Sequence, residues 1–196
     1  MSQRTATVQR GTKETSINVS LNLDGTGKSS LSTGVGFFDH MLESFARHGL
    51  FDLEIRCEGD LHVDTHHTIE DVGIVLGDAL KKSLGNKEGI RRYGSCTLPM
   101  DEALVLCAVD ISGRPFFVED LRFGGEMMGD MPTQMVREFF YAISYSAGLN
   151  LHFCQQRGDN DHHIAECCFK AFARALSAAV SIEPRVSGAW STKGVL

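Results

Sequence analysis

The sequence has no excess of positive charge, no long apolar run and no paired-cysteine motif. Its 19 Lys and Arg stand against 25 Asp and Glu, a formal net charge of −6. No basic face is therefore left to neutralise nucleic-acid phosphates, and an acidic membrane surface would repel the chain. The longest fully apolar stretch, residues 103–109, is far below the roughly 20 needed to span a bilayer. Arg4, Arg10 and Lys13 lie near the start with no apolar core between them, so no signal peptide is expected. Neither nucleic acid nor membrane is an expected partner. The six cysteines (Cys57, Cys96, Cys107, Cys154, Cys167, Cys168) form no CxxC, and two are adjacent. Reduced thiols in a cytoplasmic compartment are the expectation. No long polar tract is present, which excludes disorder over most of the length. What is there is an ordinary soluble globular composition, 42% apolar and 22% charged. At 196 residues it suits one domain or two small similar halves sharing a core.

A repeat favours the two halves. Residues 64–71 read Asp-Thr-His-His-Thr-Ile-Glu-Asp and residues 160–167 read Asn-Asp-His-His-Ile-Ala-Glu-Cys. Both contain His-His-x-x-Glu, and each is preceded by a Phe- and Leu-rich segment ending in Gly-Leu and then a short strand-like run. An ordered series of matches points to internal duplication. Alternation of apolar and polar residues predicts strands at 5–9, 15–23, 28–31 and 51–57, with helical spacing at 37–48 and 66–84. Gly49 and Gly85 are read as the terminators of those helices. The second half predicts strands at 93–98, 103–111, 115–123 and 150–155, with helices at 133–147 and 161–180. The fold class is therefore α+β: tandem half-domains, each an antiparallel sheet covered on one face by two helices. The expected boundaries are 1–90 and 91–182, followed by a tail at 183–196. Residues 25–29, Gly-Thr-Gly-Lys-Ser, are read as a turn, because no helix pattern follows them as a phosphate loop requires. The Gly-rich stretch 124–132, with Met127, Met128 and Met131, is read as a mobile or interfacial loop.

The two His-His-x-x-Glu elements carry the chemistry. Neighbours on a helix point 100° apart, so His66 and His67 do not easily reach one metal together. Each can share an ion with Glu70, which follows them by four and three residues. His162, His163 and Glu166 repeat the arrangement. If the two helices meet, within a chain or across a subunit contact, crosswise sharing gives two metal sites. Imidazole plus carboxylate without thiolate suits Mn, Fe or Zn. His40 lies in the helix before the first pair, and its counterpart 98 residues on is Glu138; each is a candidate fourth ligand.

The strings Gly36-Phe37-Phe38-Asp39-His40-Met41-Leu42, Asp64-Thr65-His66-His67-Thr68-Ile69-Glu70-Asp71, Asn160-Asp161-His162-His163, 169–176 and Ser191-Thr192-Lys193-Gly194-Val195-Leu196 resemble the imidazoleglycerol-phosphate dehydratases of histidine biosynthesis. The resemblance covers essentially the whole chain. It implies a duplicated α+β fold, a cubic homo-oligomer of 24 chains, and two Mn(II) per active site at subunit contacts. One manganese would take His40, His67, Glu70 and His163. The other would take His66, His162 and Glu166, with Glu138 standing where a histidine is common. Ser44 stands where a phosphate-holding glutamine is common. The implied reaction removes water from the small-molecule substrate imidazole glycerol phosphate, giving imidazole acetol phosphate. It would run through a metal-bound imidazolate and a diazafulvene-like intermediate, because the proton to be lost is not next to a carbonyl. Glu14 is the implied acid/base. Arg92, Arg114, Lys170, Ser191, Thr192 and Lys193 match substrate- and phosphate-binding positions, and His48 lies close enough to the motif to touch substrate. Lys170 has separate support, four residues beyond Glu166 on one helix face. Two other classes stay open from the residues alone: a di-iron carboxylate protein, and a non-catalytic assembly cross-linked by metals.

Overall fold

The computed structural model describes residues 4–194 and 196; Val195 of the terminal motif lies outside the described residues. The first half runs β1 (Thr5–Gly11), β2 (Thr15–Asn22), β3 (Ser29–Ser32), α1 (Gly36–Gly49), β4 (Asp52–Gly59) and α2 (His66–Leu84). The second runs β5 (Tyr93–Met100), β6 (Ala103–Asp110), β7 (Phe116–Glu119), a small hairpin β8 (Met127–Met128) and β9 (Met131–Pro132), α3 (Gln134–Ala147), β10 (Asn150–Arg157) and α4 (Asp161–Val180). The strand orders β1-β2-β4-β3 and β5-β6-β10-β7 are the same arrangement used twice. This is the duplicated α+β fold that the repeat predicts.

One detail of the expected sheets is corrected. The pairs β1/β2, β2/β4, β5/β6 and β6/β10 are antiparallel, but β3 runs parallel to β4 and β7 parallel to β10. The reason is the connection: α1 lies between β3 and β4, and α3 between β7 and β10. A helical crossover returns the chain to the same edge of the sheet, which a tight hairpin cannot do. Two further expectations shift. The strand expected at 115–123 stops at Glu119, whose carboxylate accepts the Leu121 N–H at 2.6 Å and turns the chain. The stretch 124–132 is no loose loop: Met128 and Met131 are buried in the β8–β9 hairpin. Asp130 of that hairpin accepts the N–H groups of Gly36 and Phe37, at 2.6 and 2.9 Å. It thereby caps α1, whose own N-cap Val35 has no side chain able to do so.

Gly49 also acts differently from expectation. It is the last residue of α1, and the left-handed cap falls on Leu50, with φ 59°. Gly49 is instead required by space, because the Phe51 ring occupies the position of any Cβ. In the second half Gly148 takes the left-handed cap of α3 itself, with φ 71°.

The helices lie between the two sheets. α2 covers β1 and β2, α4 covers β5 and β6, α2 packs on α3, and α1 on α4. Gly77 allows α2 and α3 to approach closely: a Cβ there would lie 2.6 Å from the Ser146 Cβ and 3.0 Å from the Ile143 carbonyl. One continuous core results, centred on Phe38, Phe45, Phe139, Phe140, Phe153, Phe169 and Phe172, all essentially fully buried. The Phe139 and Phe169 rings stack at 5.1 Å, as do Phe45 and Phe172 at 5.5 Å. Burial of this ring cluster ties both halves to each other, since each large aromatic contributes about 1.5–3 kcal/mol on leaving water. The α2 and α4 N-termini are thus held rigidly, each beside the turn that ends a hairpin of its own sheet.

Candidate metal centre and substrate-binding end

The first two turns of α4 carry His162, His163 and Glu166. Asn160 begins the helix, its Oδ1 accepting the N–H groups of His162 and His163 at 3.0 and 3.3 Å. With the backbone so fixed, the Nε2 of His162 lies 3.1 Å from Oε2 of Glu166. His40 of α1 reaches the same oxygen at 3.6 Å. Ligand atoms of His40, His162 and Glu166 all lie within 4.8 Å of one another, and among the described residues this is the one such group. The set is two imidazoles and one buried carboxylate, donors that fit a divalent first-row metal. Burial works to raise the Glu166 pKa, but the Lys170 ammonium 2.6 Å away and His162 outweigh it and hold the carboxyl below its ordinary range. Glu166 is therefore an anion ready to ligate. Phe37 packs edge-on against His162, with centroids 5.0 Å apart, and limits its rotation.

α2 presents the matching turn. Asp64 Oδ1 accepts the His66 N–H at 2.7 Å, and His66 Nε2 lies 3.6 Å from Glu70, the same i,i+4 geometry as in α4. His67 Nε2 lies 3.9 Å from Glu14 of the β1–β2 turn. Glu138 is half-buried on α3, which packs on α2 as α1, bearing His40, packs on α4. The two His-His elements do not meet within one chain: α2 leans on α3, and α4 on α1.

The residues matched to phosphate binding fall into two places. Lys170 lies with Glu166, and His48 is close by; partial desolvation and the Lys170 charge pull His48 below the ordinary histidine range. Arg92, by contrast, lies at the far end of α4, its N–H donating to the Ala179 carbonyl at 2.9 Å. That is about 25 Å from His162 at 1.5 Å per helical residue. Arg92 grips Asp110 through Nε and Nη2 at 2.7 and 3.1 Å, and its Nη1 donates to the Trp190 carbonyl at 3.0 Å, tying down the tail. Arg114 and Lys193 line a concavity of about 480 Å³ at this end, with Ser112, Gly113 and Gly148. Ser191 Oγ accepts the Lys193 N–H at 3.2 Å, and Thr192 is exposed.

Sequence reasoning missed several residues here. Asp60 accepts from His67 Nδ1 at 3.0 Å, and Glu102 from His163 Nδ1 at 2.8 Å. Asp101, in the β5–β6 turn, lies 3.8 Å from His163 Nε2, the place Glu14 occupies beside His67. Lys81 and Lys87 join Arg114 and Lys193 in the basic concavity. Lys87 is only 8% exposed, and burial together with the charges of Lys81 and Arg92 pulls its pKa down. The equivalence of the β1–β2 and β5–β6 turns in a duplicated chain is the one signal that could have found Asp101.

Comparison with known proteins agrees with this architecture. A family model for imidazoleglycerol-phosphate dehydratase matches residues 33–176. The chain is 60% identical over 193 residues to the imidazoleglycerol-phosphate dehydratase of Lachnoclostridium phytofermentans, covering 98% of both chains. It is 57% identical to that of Acetivibrio thermocellus, covering 96% of this chain and 97% of the other. The crystal structure of the Staphylococcus aureus enzyme superposes with a TM-score of 0.83 at 39% identity, over 91% of this chain and 99% of that one. The Pyrococcus furiosus enzyme, solved in complex with (S)-C348, gives 0.83 at 37% identity, over 96% and 100%. The fold and these likenesses define an enzyme, a carbon–oxygen hydro-lyase. More particularly, the chain belongs to the imidazoleglycerol-phosphate dehydratase family of histidine biosynthesis. A four-helix di-iron bundle is not what it forms, since its motif helices each pack on a separate sheet.

Proposed function

We propose that this enzyme removes water from imidazole glycerol phosphate to give imidazole acetol phosphate, with two Mn(II) per site, in a cytoplasmic homo-oligomer of 24 chains whose sites are shared between chains. The observation that carries the reading is that His40, His162 and Glu166 lie together, although the resemblance divides His40 from the other two between the ions, together with the same His–Glu geometry on α2. His40, His66, His67, Glu70, Glu138, His162, His163 and Glu166 would hold the ions. When bound, the metals supply Lewis-acid polarisation of the substrate's imidazole ring.

The rest falls to the chain's own side chains. Glu14, beside His67 and open to solvent, moves the proton at the carbon next to the departing hydroxyl. Arg114, Lys170, Ser191, Thr192 and Lys193 hold the phosphate, because a buried dianion needs cations and hydroxyl donors. Arg92 secures the tail that brings Ser191 to Lys193 into place. The distance along α4 supports sharing. An imidazole joined to a glycerol phosphate does not reach from His162 to Arg92, so the basic end of one chain serves the metals of another.

The direct assay is conversion of imidazole glycerol phosphate by the purified protein; no product from assembled, metal-loaded enzyme would overturn the reading. Sharing is tested by co-assembling a His162→Ala chain with an Arg114→Ala chain, each inactive alone. Recovery of turnover in the mixture supports shared sites, and no recovery places each site within one chain.

A further inference from the structure

We propose that Asp60 and Glu102 are positioning residues that lock the rings of His67 and His163 with Nε2 facing the metal position. The inference rests on the reading that the His-His-x-x-Glu helices hold metal. His67 Nδ1 lies 3.0 and 3.2 Å from the two Asp60 oxygens, and His163 Nδ1 lies 2.8 Å from Glu102. An ionised carboxylate only accepts, so each Nδ1 carries the hydrogen, and in the neutral ring Nε2 is the nitrogen left with a lone pair for a metal. Those Nε2 atoms face Glu14 and Asp101 respectively, on the opposite edge of each ring. Asp60 and Glu102 therefore lie on the wrong side of the imidazoles to share an ion with Nε2. They orient the ligands instead.

Both carboxylates are themselves fixed. The Asp60 N–H donates to the Glu14 carbonyl at 3.0 Å, joining the His67 support to the turn that carries Glu14. Glu102 accepts the Asn160 N–H at 3.1 Å through its second oxygen, and Asn160 caps α4. His66 and His162 have no such partner at Nδ1 among the described residues. Each helix thus presents one tethered and one untethered imidazole.

The tethers are not copies of one another. Asp60 directly follows β4, where the residue directly following β10 is Gly158, and Glu102 lies in the β5–β6 turn, whose counterpart is the β1–β2 turn and not the loop of Asp60. The two halves reach the same Nδ1–carboxylate geometry from different elements, the loop after β4 and the β5–β6 turn. A contact left over from duplication would have stayed on equivalent elements. Supports of this kind typically set metal affinity by 10–100-fold, roughly.

The test uses the assembled protein stripped of metal and titrated with Mn(II) alone against a competing chelator. Asp60→Asn and Glu102→Gln are compared with wild type and with Glu54→Gln on the open face of β4. Each tether variant is expected to bind Mn(II) about 10–100-fold more weakly, with Glu54→Gln unchanged. Wild-type affinity in both tether variants overturns the positioning role. A wild type that binds no Mn(II) at all instead overturns the metal reading on which it rests. Because a variant can fail to assemble, the ring nitrogens of metal-free wild type are also read by 15N NMR. Recorded at a pH high enough for both rings to be neutral, hydrogen on Nδ1 of both His67 and His163 is expected, and hydrogen on Nε2 with Nδ1 bare in either contradicts the tether.

Discussion

Replacing Asp71 by Ala removes the buried carboxylate that holds the Glu14 turn onto α2. Asp71 is 6% exposed, and its Oδ2 accepts the Thr15 hydroxyl at 2.5 Å and lies 2.5 Å from Arg10 Nη1. Arg10 lies one residue before the end of β1 and Thr15 begins β2, so both anchors flank Glu14. The hydroxyl-to-carboxylate bond contributes about 1.5–3 kcal/mol. The Arg10 side chain is 35% exposed, so solvent screens its pairing, which adds no more than about 1 kcal/mol. Asp71→Ala should therefore cost about 3 kcal/mol, a fall in Tm of about 6–12 °C for a chain of this length. Asp71→Asn keeps an acceptor for Thr15 and loses only the charge facing Arg10, so it should fall about a third as far. Assayed well below the Tm with metal present, Asp71→Ala should also turn over about 10–100-fold more slowly, because a released turn misplaces Glu14. The measurements are thermal unfolding of the assembled protein and initial rates at saturating substrate. An Asp71→Ala protein with wild-type Tm and wild-type turnover would show that the turn holds its place without the carboxylate, which refutes the role given to Asp71.

Glu14→Gln should reduce turnover by about 10²–10⁴-fold, while metal content and particle size stay at wild-type values. Phe140→Ala removes a ring packed against Phe139, Phe153, Phe169 and Phe172, and should lower stability to urea by about 3–5 kcal/mol. The His163–Glu102 pair makes a pH prediction for metal-free protein. Glu102 raises His163 above 6.5, a contribution complete below that pH and lost as pH climbs through the raised value. His163 in turn holds Glu102 down to about 2 from 4.5, a contribution present above 4.5 and lost as pH falls toward 2. The difference in Tm between wild type and Glu102→Gln should therefore be largest between pH 4.5 and 6.5 and shrink above it, as scanning calorimetry across pH would show.

Most of the architecture was legible because it is local and periodic. Four helices with 3.6-residue apolar spacing and a string repeated 96 residues on leave few arrangements other than two α+β halves. The i,i+4 meeting of His162 with Glu166 follows directly from helix geometry. The parallel pairs β3/β4 and β7/β10 were not legible from alternation, which marks a strand and not its direction. The position of the connecting helices carried that information instead. The β8–β9 hairpin was obscured by its glycines, and its task of capping α1 depends on a contact between residues 94 apart. Glu102 and Asp101 reach His163 across some sixty residues, and nothing near the histidine in sequence announces them. The separation of the basic end from the metal group along α4 appears only once Arg92 is seen bonded to the helix C-terminus.

The central claim, metal-dependent dehydration by this chain, is met most directly by one experiment. The assembled protein is stripped with a chelator, assayed on imidazole glycerol phosphate, and assayed again after Mn(II) is returned. Activity that disappears on stripping and comes back with manganese is the expected result. Undiminished turnover in verified metal-free protein, or none in assembled protein fully loaded with manganese, would contradict it.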